Sequence, residues 1–148
     1  MTLGERIRAV RQEKHLSTLD LAVDSGICVS HIRVLESDKA DPILLSVATI
    51  AKVLGVSVDY LVTGKVVPLG NRNESPCLHF QRRIAEARRA KKYTISQLAR
   101  ATGFGYHVQW NWECKGNYPK LSHIAKVAEV LDVSLEWLAF GERSEEDV

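Results

Sequence analysis

The chain has 148 residues, of which 45% are hydrophobic and 26% charged, a balance that suits a globular fold and excludes a disordered one. Twenty Lys and Arg face eighteen Asp and Glu, so the net charge is only +2 and no global electrostatic case for nucleic acid exists. The three cysteines, Cys28, Cys77 and Cys114, form no C-x-x-C pair and cannot close into a disulfide framework, which fits a reducing, cytoplasmic setting.

The charged opening Met1-Thr-Leu-Gly-Glu-Arg6 lacks the apolar run of a signal peptide, and no stretch of about 18 apolar residues is present to span a membrane. Leu3, Ile7, Val10 and Arg11 follow the i, i+4, i+7 spacing of a first helix. Ser17 is placed to cap a second, with Leu19, Leu21 and Ala22 as its apolar-periodic run and Gly26 as its stop. A third helix is expected from Val29 to Ser37, with Ile32 and Leu35 facing inward. Pro42 opens the next segment, where Leu44, Val47, Ala48, Ile50, Ala51 and Leu54 make a strongly apolar helix. Ser57 then caps a short fifth helix, Val58 to Val62. No sustained alternation of period two argues for strands, so the fold class is all-α.

The chain repeats itself. A shift of 77 residues without gaps brings Arg6-Ile7 onto Arg83-Ile84, Leu21-Ala22 onto Leu98-Ala99 and Gly26 onto Gly103. The same shift matches Pro42 with Pro119, Val53-Leu54 with Val130-Leu131, and Gly64 with Gly141. The expected organisation is a first domain at 1–66, a linker at 67–79, a second domain at 80–141 and an acidic tail at 142–148. The linker carries two prolines, a glycine and two asparagines. Counted from Lys65 to His79, about 15 residues reach roughly 50 Å when extended.

The run Leu21-Ala-x-x-Ser-Gly-Ile-Cys-x-x-x-Ile-x-x-Leu-Glu36 resembles the helix-turn-helix of the phage Cro and lambda-repressor-like (XRE) family. Leu54-Gly-Val-Ser-Val-Asp-Tyr-Leu61 is similar to that family's closing helix. The second unit matches through Leu98-Ala99, Gly103, Trp112-Glu113, Pro119 and Leu131-Asp-Val-Ser-Leu-Glu-Trp-Leu138. The resemblance implies two tandem five-helix domains, double-stranded DNA as partner, and a transcriptional regulator, most simply a repressor. It also implies a partly buried ion pair that braces each reading helix, Arg11 with Glu36 and Arg88 with Glu113.

A helix-turn-helix presents the N-terminal residues of its second helix to base edges in the major groove. In the first unit the exposed positions are then Val29, Ser30, Arg33 and Val34, with His31 beside them. Arg33 suits guanine or a phosphate, Ser30 several base edges, and Val29 or Val34 a thymine methyl. Thr18, at the start of the second helix, and Lys39, after the third, are phosphate candidates. Cys28 stands where the family usually has a capping serine or threonine; it is either a weak cap or a redox-sensitive thiol.

In the second unit the register points Tyr106, His107, Trp110 and Asn111 outward, with Lys115 following. Gln109 falls where an aliphatic is expected, so either the helix is shifted by one residue or the site is specialised. Exposed Trp110 beside Tyr106 also resembles a protein-contact patch. Two readings therefore stay open: two DNA-reading domains with unlike half-sites, or one DNA-binding domain and a second that contacts a partner protein or a second copy, as an antitoxin does. Local charge favours DNA for the second unit. Leu78–Leu131 holds ten bases against three acids, whereas Met1–Val66 holds eight of each. No phosphate-cradling glycine loop or nucleophile elbow supports an enzyme, and the five histidines lack metal-ligand spacing, so neither cofactor nor metal is expected.

Overall fold

A computed structural model describes residues 1–142; the remainder of the expected acidic tail, 143–148, lies outside the described residues. The described chain is helical, with one isolated antiparallel bridge between Ile43 and Lys120. Five helices precede the middle segment: α1 (Leu3–Glu13), α2 (Thr18–Ser25), α3 (Val29–Glu36), α4 (Leu44–Leu54) and α5 (Val58–Thr63). Five follow it: α6 (Phe80–Ala90), α7 (Ile95–Thr102), α8 (Tyr106–Trp110), α9 (Leu121–Leu131) and α10 (Leu135–Phe140). Every helix of the second series starts 77 residues after its counterpart in the first. No described helix is long and apolar enough to cross a membrane.

Local chemistry fixes these boundaries. Thr2, Ser17, Ser57, Thr94 and Ser134 each accept a backbone N–H with their side chain at a helix start. Gly26, Gly55, Gly64 and Gly103 end helices in the left-handed region. Helix α4 buries all six of its expected apolar positions, Leu44, Val47, Ala48, Ile50, Ala51 and Leu54. Helix α2 turns Leu21 and Ala22 to the core and leaves Leu19, 61% exposed, and Val23 on its outer side.

Two arginines close both series at their ends. Arg6 donates to the carbonyls of Leu61 and Val62, and Arg83 to those of Leu138 and Ala139, so each guanidinium satisfies the last carbonyls of a short helix.

The two series pack directly against each other through α4, α5, α9 and α10, and the contacts are reciprocal. The Leu44 N–H donates to Pro119 O at 3.0 Å, and the Leu121 N–H to Pro42 O at 2.7 Å. Asp59 accepts the N–H groups of Leu135 and Glu136 at the start of α10, at 3.1 and 2.9 Å. Glu136, its counterpart, accepts the N–H of Val58 at the start of α5 at 2.9 Å. Each short helix thus lends a carboxylate to the other's positive end. Contacts in which residue i meets j and the counterpart of j meets that of i are the mark of a two-fold arrangement.

The segment between the two series is packed rather than extended. The Gly70 N–H donates to Glu136 at 2.9 Å, and Arg72 holds both Glu136 oxygens at 3.0 and 2.8 Å with its guanidinium over the Phe140 ring. A Cβ on Gly70 would lie 2.5 Å from Gly141 O, so only glycine lets the chain pass there. The Cys77 N–H donates to Ala139 O, and its side chain is buried. Extended reach therefore does not set the separation of the two series. Polar turn-forming residues are still able to dock when a buried carboxylate offers them a partner.

Candidate nucleic-acid interface

The first candidate surface is built by α2, the turn at Gly26 and α3. Ser17 and Asp20 form a reciprocal capping box at the start of α2. The Ser17 backbone N–H, chiefly, and then the Ser17 side chain hold the Asp20 carboxyl below its ordinary range. Gly26 takes φ 74°, which turns the chain sharply from α2 towards α3. Cys28 occupies the cap of α3 but makes no capping hydrogen bond. Its sulfur lies 3.4 Å from the Ser30 hydroxyl, and that contact, followed by the His31 backbone, lowers the thiol's pKa from its ordinary value.

Helix α3 points Ile32 and Leu35 into the core. Ser30, Arg33 and Val34 are exposed, while Val29 and His31 are half-buried and Val29 leans on the core. Thr18 is half-buried in the first turn of α2, and Lys39 is exposed beyond α3.

Arg11 holds α3 to α1. Its Nε and Nη2 donate to the Glu36 carboxylate at 2.6 and 3.3 Å, and its Nη1 to Leu16 O at 2.8 Å. Arg88 repeats the arrangement, with Nε at 2.9 and 3.1 Å from the Glu113 oxygens and Nη1 at 2.7 Å from Tyr93 O. Both pairs are nearly enclosed. Each guanidinium ties three places together: the first helix, the turn after it and the end of the outward-facing helix. The adjoining backbones also fit closely, since a Cβ on Gly4 would lie 2.5 Å from the carbonyls of Leu35 and Glu36.

The second candidate surface departs from the first. Helix α8 has five residues and gives way to a π turn, Asn111–Lys115, that Gly116 closes at φ 77°. The helix is not shifted by one residue: Val108 is exposed and Gln109 is fully buried, in the register position of Ile32. The Gln109 Nε2 donates to Glu113 at 3.1 Å, but its Oε1 has no partner. A buried amide with an orphaned oxygen is costly, and it sits at the junction where α-helical bonding fails. Tyr106 and His107 are exposed and in edge contact. Trp110 is half-buried, not freely exposed, with the Lys115 ammonium 5.5 Å from its ring centre. Asn111 is also half-buried, and Lys115 is exposed.

A cleft beside α8 was not singled out in the sequence. It is open, has a volume of about 560 Å³, and is lined by Arg88, Arg89, Lys92, Tyr93, Thr94, Ile95, Ser96 and Tyr106, with no acid among them. The start of α7, where Thr94 and Gln97 form a capping box, faces this basic group. Peptide N–H groups at a helix start beside Arg and Lys suit an anion. The available signal was Thr94 three residues before Gln97, preceded by Arg89 and Lys92. At the matched positions the first series has Gln12, His15 and Ser17, which carry less charge. Among the described residues no group of His, Cys, Asp and Glu is arranged to hold a metal ion.

Comparisons with known proteins bear on part of the chain. No solved structure matches the chain. An immunity repressor protein of Bacillus phage phi105 is 34% identical over 62 residues, which are 42% of this chain and 43% of that protein. The chain therefore aligns with less than half of that relative's length. A helix-turn-helix family model matches residues 7–61, the stretch that contains α2, the Gly26 turn and α3 together with most of the core that holds them.

Proposed function

We propose that this chain is a DNA-binding transcriptional regulator, a repressor, acting in the cytoplasm through two helix-turn-helix domains that read unlike half-sites. The observation that carries it is the α2–α3 pair: a reading helix with Ser30, Arg33 and Val34 exposed, braced from behind by Arg11 and Glu36. It lies within the matched helix-turn-helix segment, and a similar protein is a phage immunity repressor. Arg33 contacts guanine or phosphate, Ser30 and His31 contact base edges, and Val29 and Val34 lie against thymine methyls. Thr18 and Lys39 hold phosphates.

In the second domain Tyr106, His107 and Asn111 face bases, while Lys115 and the basic cleft at the start of α7 hold the backbone. The reciprocal contacts between the two series support a reading in which one chain offers both helices to one side of the duplex. Successive major grooves on one side lie about 34–36 Å apart. Because Val29-Ser30-His31 and Tyr106-His107-Val108 are chemically unlike, the element read is non-palindromic.

The alternative, in which the second domain contacts a partner protein or another copy through Trp110 and Tyr106, keeps one supporting observation: Tyr106 is 46% exposed. Trp110→Ala separates the readings. Lost DNA affinity with unchanged mass in solution supports DNA contact by this domain; lost self-association with intact DNA affinity supports the alternative.

A further inference from the structure

The contacts between the two helical series assign a role to residues far from any reading helix. We propose that Glu136, Asp59 and Arg72 form a latch that fixes the distance and phase between the two reading helices, and so sets which half-site spacing the chain accepts. The inference rests on the DNA-reading proposal above and deepens it.

Glu136 is 1% exposed and accepts four hydrogen bonds from two places: the start of α5 through Val58, and the middle segment through Gly70 once and the Arg72 guanidinium twice. A buried carboxylate holds its place only when fully bonded, so α10, α5 and the middle segment must keep one mutual arrangement. Asp59 returns the cap to α10, which makes the contact two-sided. Arg72 also donates to Val56 O at 2.7 Å, so the middle segment is pinned to both series at once. The Pro42–Leu121 and Pro119–Leu44 bonds, with Asp41 accepting from Ser122, tie the start of α4 to that of α9 as a second point of attachment. None of these groups lies on α3 or α8. They are positioning residues: the latch acts on DNA only through the geometry it imposes.

A rigid pair of helices fits one spacing, and about half a turn of extra DNA, ~5 bp, carries the second half-site to the opposite side. A pair joined only by a flexible tether behaves as two modules linked through effective concentration and tolerates many spacings.

The test uses duplexes carrying the two half-sites recovered by selection from a random DNA pool, at the recovered spacing and with insertions of about 2 and about 5 bp. The full chain should bind the recovered spacing at least about tenfold more tightly than the ~5-bp insertion. Glu136→Gln, whose one carbonyl oxygen cannot accept from both the Val58 and the Gly70 N–H groups, should shrink that preference to about threefold or less. Affinity for each half-site alone should stay within about twofold. Should Glu136→Gln fail to fold by circular dichroism, Asp59→Ala provides the same reading while leaving every bond of the Glu136 carboxylate in place. A folded variant that keeps the full preference overturns the latch. So does an unaltered chain that protects both half-sites yet ignores spacing. An unaltered chain that protects one half-site or none overturns the DNA-reading proposal, and the latch with it.

Discussion

Two cysteines show how position alone separates chemical behaviour. Cys28 is exposed at the start of α3, and the Ser30 hydroxyl beside it favours the thiolate. Cys77 is buried, and burial pushes its thiol up to about 12 from an ordinary 9.0, with Arg83 pulling weakly the other way. A small alkylating reagent at pH 8 should therefore label Cys28 promptly and Cys77 only after denaturation, as peptide mass mapping would read. Equal labelling of the two in the folded chain would refute this placement. The Cys77 shift also predicts a pH effect. The unfolded chain releases this proton near pH 9 and the folded chain only near 12, so stability from this group is whole below about 9 and is lost as pH rises towards 12. Cys77→Ala should flatten the alkaline fall in melting temperature relative to the unaltered chain.

The Arg11–Glu36 pair belongs to the same scale. Its bonds are strong singly, but an enclosed ion pair adds little net stability; its removal in halves is what hurts. Arg11→Met should lower unfolding free energy by about 3–5 kcal/mol, and Arg11→Met with Glu36→Leu by clearly less, in denaturant titrations. A double variant as unstable as the single one would show that the guanidinium acts through packing rather than charge.

At the scale of elements, the helices were legible because their signals are local. A capping serine such as Ser17 or Ser57, a left-handed glycine such as Gly26, and the apolar period of α4 each act within a few residues. Leu19 shows what such signals leave open: it belongs to the apolar run of α2 yet is exposed, and nothing nearby marks which side of an eight-residue helix is covered. The break in α8 was visible only as an anomaly, a glutamine in an aliphatic position. Its physical content is the orphaned Oε1 and the π turn that follows. Gln109→Leu should remove that orphan and raise stability by about 1 kcal/mol, since Glu113 keeps its bonds to Arg88. Destabilisation in a thermal melt would mean the bond from Nε2 outweighs the unpaired oxygen.

For the molecule as a whole, the contacts between the two series were not legible. Asp59 and Glu136 each lie in the first turn of their own short helix, where an acid already has a local use. Their partners lie more than 70 residues away, beyond any local pattern. The glycine- and proline-rich middle segment read as a tether for a similar reason: composition reports turn-forming capacity, not what the turn docks against. Charge is uneven at this scale, with ten bases against three acids between Leu78 and Leu131 and eight of each up to Val66. The second series should therefore supply most of the salt-dependent attraction. Arg89→Ala and Lys92→Ala, at the basic cleft, should each weaken binding about equally on all sequences and reduce the slope of log affinity against log salt by about 1. A sequence-selective loss would instead make them base-reading groups.

The most direct test is selection of bound duplexes from a random pool, followed by footprinting of the recovered sequence with the full chain. The account predicts two unlike protected half-sites about one helical turn apart, 10–10.5 bp between centres, whose occupancy falls roughly 100-fold between about 50 and 200 mM salt. A single short protected stretch, a palindrome, or recovery of no sequence above the starting pool would contradict it.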